Sequence, residues 1–260
     1  MSEGRVAIVG AGPGAADLLT VRAAQALARA QVVLHDDLVP AEILALCQES
    51  ALRINVGKRC GRRGSSQEEI NALMIEHARA GKRVVRLKSG DPAVFGRLGE
   101  EMDALRKAGI RFQVVPGITA AAAAAAAAEI TLTDRRIASS LIVLSGHNAK
   151  DEIRQRSSLD LERTTFAVYM PGPDYARTAR ELMDLGIEAA TPCALVSHAG
   201  RNTQQVRFLF LEGLAALQAV VPPAILIVGE VARRDEFSEI LKCLGQQPVP
   251  ATELENPALQ

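Results

Sequence analysis

Two turns in this sequence carry residue types that could hold an adenosyl or anionic ligand through backbone N–H groups. The first is Gly10-Ala-Gly12-Pro13-Gly14-Ala15 and the second is Lys88-Ser89-Gly90-Asp91-Pro92. Glycines let the chain turn sharply and let a ligand approach the backbone, while a carboxylate such as Asp91 accepts hydrogen bonds from a ligand hydroxyl or ammonium. The first turn also satisfies the G-x-G-x-x-G/A pattern of dinucleotide-binding folds, and Asp36 and Asp37 close the next apolar run where a ribose-binding acid would stand. A nicotinamide or flavin oxidoreductase is therefore one reading. Against it, Leu18 and Leu19 follow where small residues would let a helix pack tightly, and Pro13 stiffens the loop. Residues 15–20 read instead as an extended turn ahead of a helix that begins near Thr20. Taken alone, the first pattern means no more than a tight strand-to-helix turn.

A third feature is the basic run Lys58, Arg59, Arg62 and Arg63, which meets no compensating acid until Glu68. Arginine is suited to paired hydrogen bonds with carboxylates, so the run could clamp a polyanionic substrate, although most such runs are simply solvated loops. The chain as a whole is neutral, with 30 Lys+Arg against 30 Asp+Glu in 260 residues, which argues against nucleic acid or an anionic membrane as partner. No apolar run approaches the length of a membrane span, and the start lacks the pattern of an export signal, so a cytoplasmic protein is expected. Cys47, Cys60, Cys193 and Cys243 form no C-x-x-C pair and the histidines are scattered, so neither a metal nor a disulfide framework is expected.

The elements that must position these residues alternate short apolar strands with helical patterns. Arg5–Val9, Gln31–Leu34, Arg53–Val56, Arg83–Leu87 and Phe112–Val115 read as strands separated by amphipathic helices, the pattern of a parallel sheet covered on both faces. This predicts an α/β lobe over 1–117, with the turns after its first four strands bringing Pro13, Asp36, Lys58 and Asp91 to the carboxyl edge, where such sheets bind ligands. A second series follows: Ser139–Leu144, Thr165–Met170, Cys193–Val196, Val206–Leu211 and Ala224–Val228. The third and fourth of these lack a helical spacer, so a second α/β lobe over 118–244 should hold a mixed sheet with a hairpin. The ligand cleft is expected between the two lobes. Ala120–Ala128 is an alanine run with strong helix propensity, and free N–H groups at its start, by Thr119 and Ala120, could meet a ligand. Residues 245–260, rich in Pro, Gln and Glu, read as a disordered tail.

An ordered set of segments resembles the uroporphyrinogen-III C-methyltransferases, a branch of the tetrapyrrole methylase family. It comprises Val9-Gly-Ala-Gly-Pro-Gly14, His35-Asp-Asp-Leu-Val39, Gly57-Lys-Arg59, Gln67-Glu-Glu-Ile-Asn71, Arg86-Leu-Lys-Ser-Gly-Asp-Pro92, Phe95-Gly-Arg97, Val115-Pro-Gly-Ile-Thr119, Ser145-Gly-His147 and Val228-Gly229. The resemblance implies two α/β lobes, usually in a homodimer, that bind S-adenosyl-L-methionine (SAM). It implies SAM contacts at Ser89, Gly90, Asp91, Val94, Thr119, Ala120, Met170 and Ala199. Pro13, Asp36 and Lys58 match functionally important family positions, and Arg97 with Glu100 matches a segment associated with proton handling. The family usually has Tyr at His35, His at Arg63, and Gly at Ser89, Leu98 and Ala199, departures that bear on substrate and rate more than on fold.

The chemistry so implied is methylation of uroporphyrinogen III at two ring carbons to give precorrin-2. A sulfonium methyl is already activated, so positioning should dominate, with the reacting atoms held about 3–3.5 Å apart. A proton must later leave the ring. Asp36, Glu100 or Arg97 could assist, with Arg97 the better anchor because an arginine is a poor base. The basic run would hold the macrocycle's carboxylates. A later corrin-pathway methylase and a non-catalytic SAM- or tetrapyrrole-binding protein are the remaining alternatives beside the oxidoreductase.

Overall fold

The computed structural model describes residues 5–57, 65–146 and 160–234. The chain forms two compact units, Met1–Ala120 and Ala121–Gln260, against an expected lobe boundary after 117. The expected tail, 245–260, lies outside the described residues.

In the first unit, short β-branched runs form β1 (Arg5–Gly10), β2 (Val32–His35), β3 (Leu52–Asn55), β4 (Arg83–Lys88) and β5 (Phe112–Val115). Between them lie α1 (Val21–Arg29), α2 (Ala41–Leu44), α3 (Gln67–Arg79) and α4 (Leu98–Lys107). The five strands make one parallel sheet in the order β3-β2-β4-β1-β5. Because strand side chains alternate, the sheet has two apolar faces. Val9, Val33, Val85 and Leu87 pack with Ala23, Leu27 and Ile43 from α1 and α2, while Ile8, Leu34 and Val84 pack with Ile70, Met74 and Leu105 from α3 and α4. Helix starts are set locally. The Thr20 hydroxyl accepts from the Ala23 N–H at 3.2 Å to open α1, and Ser66 with Glu69 forms a reciprocal capping box on α3.

In the second unit, α5 (Ala120–Ala127) leads into β6 (Ser140–Ser145), β7 (Thr164–Tyr169), α6 (Tyr175–Met183), β8 (Pro192–Ser197), β9 (Gln205–Phe210) and β10 (Ala224–Val228). The sheet order is β6-β7-β10-β8-β9. Strands β6 and β7 run parallel, β10 is antiparallel to β7 and β8, and β8 and β9 form the expected antiparallel hairpin. Phe166, Leu182, Leu195, Leu211 and Leu226 centre its core. Every strand expected from the sequence is present, with no end displaced by more than one residue. Among the described residues, no helix is long and apolar enough to cross a membrane.

Candidate functional site

Three backbones meet without side chains at the carboxyl edge of the first sheet. A Cβ on Gly10 would lie 2.6 Å from Gly117 N and 2.7 Å from Gly90 O, and one on Gly117 would lie 2.3 Å from Gly90 O. The turns after β1 and β4 are stitched together by hydrogen bonds from Gly12 N to Gly90 O at 3.2 Å and from Gly90 N to Gly12 O at 2.8 Å. Both glycines have φ +67°, a conformation side-chain-bearing residues rarely adopt. After this junction the chain makes a short 3-10 turn at Ala16–Leu18, and α1 starts only at Val21. The N–H groups of α1 thus open well beyond the glycines, which removes the geometric support for a dinucleotide fingerprint.

Asp91 ties the junction to the segment after β5. One carboxylate oxygen accepts from Ala93 N at 2.8 Å and the other from Gly117 N at 3.0 Å. Val94 N donates to Asp91 O, and Pro13 is buried in the first turn. A Cβ on Gly90 would meet Ala120 N at 3.9 Å, an ordinary van der Waals distance, so this glycine is set by its positive φ rather than by crowding. This cradle of small residues, beside Ser89, Thr119 and Ala120, fits the adenosyl amino acid that the sequence implied. Asp91→Ala should strip two N–H groups of their acceptor, lowering unfolding free energy by about 1–3 kcal/mol and weakening SAM binding together. Denaturant midpoints and calorimetry on the same preparation would check both, and a variant of unchanged midpoint would contradict the stapling role.

Asp36 stands directly after β2, and its Oδ1 accepts from Arg86 Nη2. Arg86 is 2% exposed on β4, the strand adjacent to β2, and its Nε donates to Glu101 Oε1 of α4 at 2.9 Å. Lys88, two residues on and on the same sheet face, donates to that same Glu101 oxygen at 2.8 Å. Sequence reasoning quoted Arg86 and Lys88 only as part of a motif and missed Glu101. The signal was present: two cations at alternate positions of a central strand, and an acid in the Leu98, Met102 and Leu105 stripe of a helix. Burial pushes the Lys88 ammonium below the ordinary lysine range, the Arg86 charge adding to the effect and Glu101 opposing it. The neighbouring His35 is buried, with its Nδ1 3.0 Å from Asp36 O.

Arg97 and Glu100 form a doubly hydrogen-bonded pair at 2.7 and 2.6 Å, with both side chains about half exposed. The hydrogen bond from Arg97 is the main cause holding the Glu100 carboxyl below its usual range, which makes Glu100 a weak proton acceptor. Arg97 and Phe95 both take left-handed backbone conformations around Gly96. Lys58, Arg59, Arg62 and Arg63 lie outside the described residues.

In the second unit, Met170 follows β7 with φ +51° and an exposed side chain. A Cβ on Gly146 would sit 2.4 Å from Met170 O, so the ends of β6 and β7 close on a glycine. Ala199 follows His198, another left-handed residue, whose ring nitrogens lie 2.8 Å from Thr203 Oγ1 and 2.9 Å from Pro222 O. Ala121 N, near the start of α5, donates to the Tyr169 hydroxyl at 3.0 Å. Strained backbone thus falls at Arg97 and Met170 and next to Ala199, three positions already singled out from the sequence.

One parallel sheet with a glycine junction at its carboxyl edge and one mixed sheet, each packed with helices, make this an α/β protein of two units. Residues 5–215 match the profile of the Tetrapyrrole (Corrin/Porphyrin) Methylases, and the chain belongs to that family. A solved uroporphyrin-III-C-methyltransferase from Thermus thermophilus is 38% identical, with a TM-score of 0.75 over 92% of this chain and 97% of its own. The same Thermus enzyme complexed with S-adenyl homocysteine is 36% identical, with a TM-score of 0.71 over 88% of this chain and 94% of its own. Siroheme synthase 1 of Pectobacterium atrosepticum is 47% identical over 88% of this chain but only 48% of its own length. The chain spans about half the length of the curated relatives it matches.

Proposed function

We propose that this chain is a SAM-dependent C-methyltransferase that methylates uroporphyrinogen III at two ring carbons to give precorrin-2. The observation that carries the reading is the side-chain-free Gly10–Gly90–Gly117 junction at the carboxyl edge of the parallel sheet, in a member of the tetrapyrrole methylases. The similarity to a solved uroporphyrin-III-C-methyltransferase, one form of which holds S-adenyl homocysteine, supports it. SAM, when bound, supplies a sulfonium-activated methyl group.

In this reading Ser89, Gly90, Asp91, Val94, Thr119 and Ala120 hold the donor from the first unit, with Pro13 shaping the loop beside it. The resemblance implies SAM contacts at Met170 and Ala199 as well. Their task is orientation, because an attacking carbon gains most from being held in line. Asp36 accepts the proton released by the ring after methyl transfer. It is preferred over Glu100 because Arg86 takes one Asp36 oxygen, Oδ1, whereas Arg97 takes both oxygens of Glu100. Lys58, Arg59, Arg62 and Arg63 clamp the substrate carboxylates, and a homodimer located in the cytoplasm belongs to the same reading.

Mass analysis after incubation with isotope-labelled SAM and uroporphyrinogen III should show two added methyl groups. Calorimetry should detect SAM but neither NAD nor FAD. Tight dinucleotide binding with no response to SAM would sink the reading. Lys58→Ala should raise the KM for the porphyrinogen roughly tenfold with near-normal SAM affinity, and added salt should raise the wild-type KM as exposed ion pairs are screened. If Lys58→Ala chiefly loses SAM, the clamp is wrong.

A further inference from the structure

All three guanidinium nitrogens of Arg86 meet fixed partners. Nε meets Glu101 Oε1 at 2.9 Å, Nη1 lies 3.2 Å from Leu87 O and 3.4 Å from Leu34 O, and Nη2 meets Asp36 Oδ1. The anchors come from three elements: α4, β4 and β2. Glu101 is itself 0% exposed and is held by Lys88 Nζ at 2.8 Å. The head group therefore has no freedom to follow Asp36. Asp36 must follow it, and Asp36 is the one member of the network that is partly exposed, its side chain 26% accessible against 3% for Arg86.

We propose that Arg86, anchored by Glu101, is a positioning residue for the Asp36 carboxylate, fixing one oxygen at the sheet edge so that the acid keeps a single orientation toward the reacting ring. The inference rests on the reading of Asp36 as proton acceptor and deepens it. A planar fork is required for this, because a lysine at the same place is a single point charge that cannot span Glu101 and Asp36 together. The cost of burying two cations and an acid under α3 and α4 is hard to rationalise as stability alone, since a well-packed apolar cluster of the same volume serves a core equally well or better.

The central variant is Arg86→Lys, which keeps the core charge and loses the second arm. Its kcat with SAM and uroporphyrinogen III should fall on the order of 10–100-fold, as expected when a catalytic group is displaced by about an ångström. SAM affinity should stay within about twofold. In an Asp36→Asn background the same Arg86→Lys change should cost almost nothing further, because two residues that act as one unit are non-additive. Arg86→Met, if folded, should be worse than Arg86→Lys. Crystal structures of wild type and Arg86→Lys give a readout independent of turnover: one Asp36 rotamer in the first and more than one, or a shifted one, in the second. An unchanged Asp36 position, or a kcat loss equal in the presence and absence of the Asp36 carboxylate, would overturn the proposal. Absence of wild-type turnover would instead overturn the methylase reading, and the crystallographic comparison would still decide the positioning role.

Discussion

Glu101→Gln is expected to destabilise the protein by about 3–5 kcal/mol, the scale of breaking a buried ion pair from one side. Glu101 is fully buried and one of its oxygens receives both Arg86 and Lys88. The amide keeps an acceptor but removes the charge, so two buried cations are left with Asp36 at the margin. A loss of that size should lower the midpoint of thermal unfolding by on the order of 10 °C. The exposed Arg97–Glu100 pair is the contrast: either alanine variant there should cost less than about 1 kcal/mol. If Glu101→Gln moved the midpoint no further than those surface variants, the network would not be structural.

The same network predicts a pH signature. The unfolded chain holds the Lys88 proton to higher pH than the folded chain, whose ammonium is depressed mainly by burial. The folded state therefore binds fewer protons between the depressed value and the ordinary lysine value, and stability rises with pH through that window. Below the window the cost of the buried charge is present in full. Lys88→Met lacks this contribution, so wild type should gain on the variant as the solution is made alkaline. Chemical denaturation of both across that range would read the difference directly.

Gly117→Ala is the second change of large expected effect. Its new Cβ would meet Gly90 O at 2.3 Å and Gly10 Cα at 2.9 Å, all backbone atoms of neighbouring segments that no rotamer change can move. Overpacking of this kind costs roughly 1–3 kcal/mol or more. Relief requires the segment after β5 to lift, which also lengthens the Gly117 N to Asp91 bond and disturbs the Gly12–Gly90 stitch. SAM affinity should then fall at least about tenfold, a difference of roughly 1.4 kcal/mol. Gly99→Ala in α4 is the control, because nothing lies within 4 Å of its Cβ and alanine is the better helix former. It should be neutral or stabilising. Equal behaviour of the two variants would mean that the close approach of the three backbones is not required.

The sequence by itself determined the elements and the rims. Strand ends were legible to within one residue because alternation and β-branched runs act over a few neighbours, and the late start of α1 was legible because Pro13 and the Thr20 cap are local signals. The glycine turns were legible for the same reason. What those turns touch was not. Asp91 read as a ligand contact, and nothing in the sequence showed that its carboxylate also staples Ala93 and Gly117, the latter 26 residues away. Arg86 and Lys88 read as motif letters, and Glu101 as nothing, until the order β3-β2-β4-β1-β5 set β4 beside β2 and α4 laid Glu101 over the same face. Strand order and helix placement are decided by how whole faces bury their apolar area, a property of the assembled unit. A charge network that depends on which strands become neighbours is therefore fixed only by the tertiary structure.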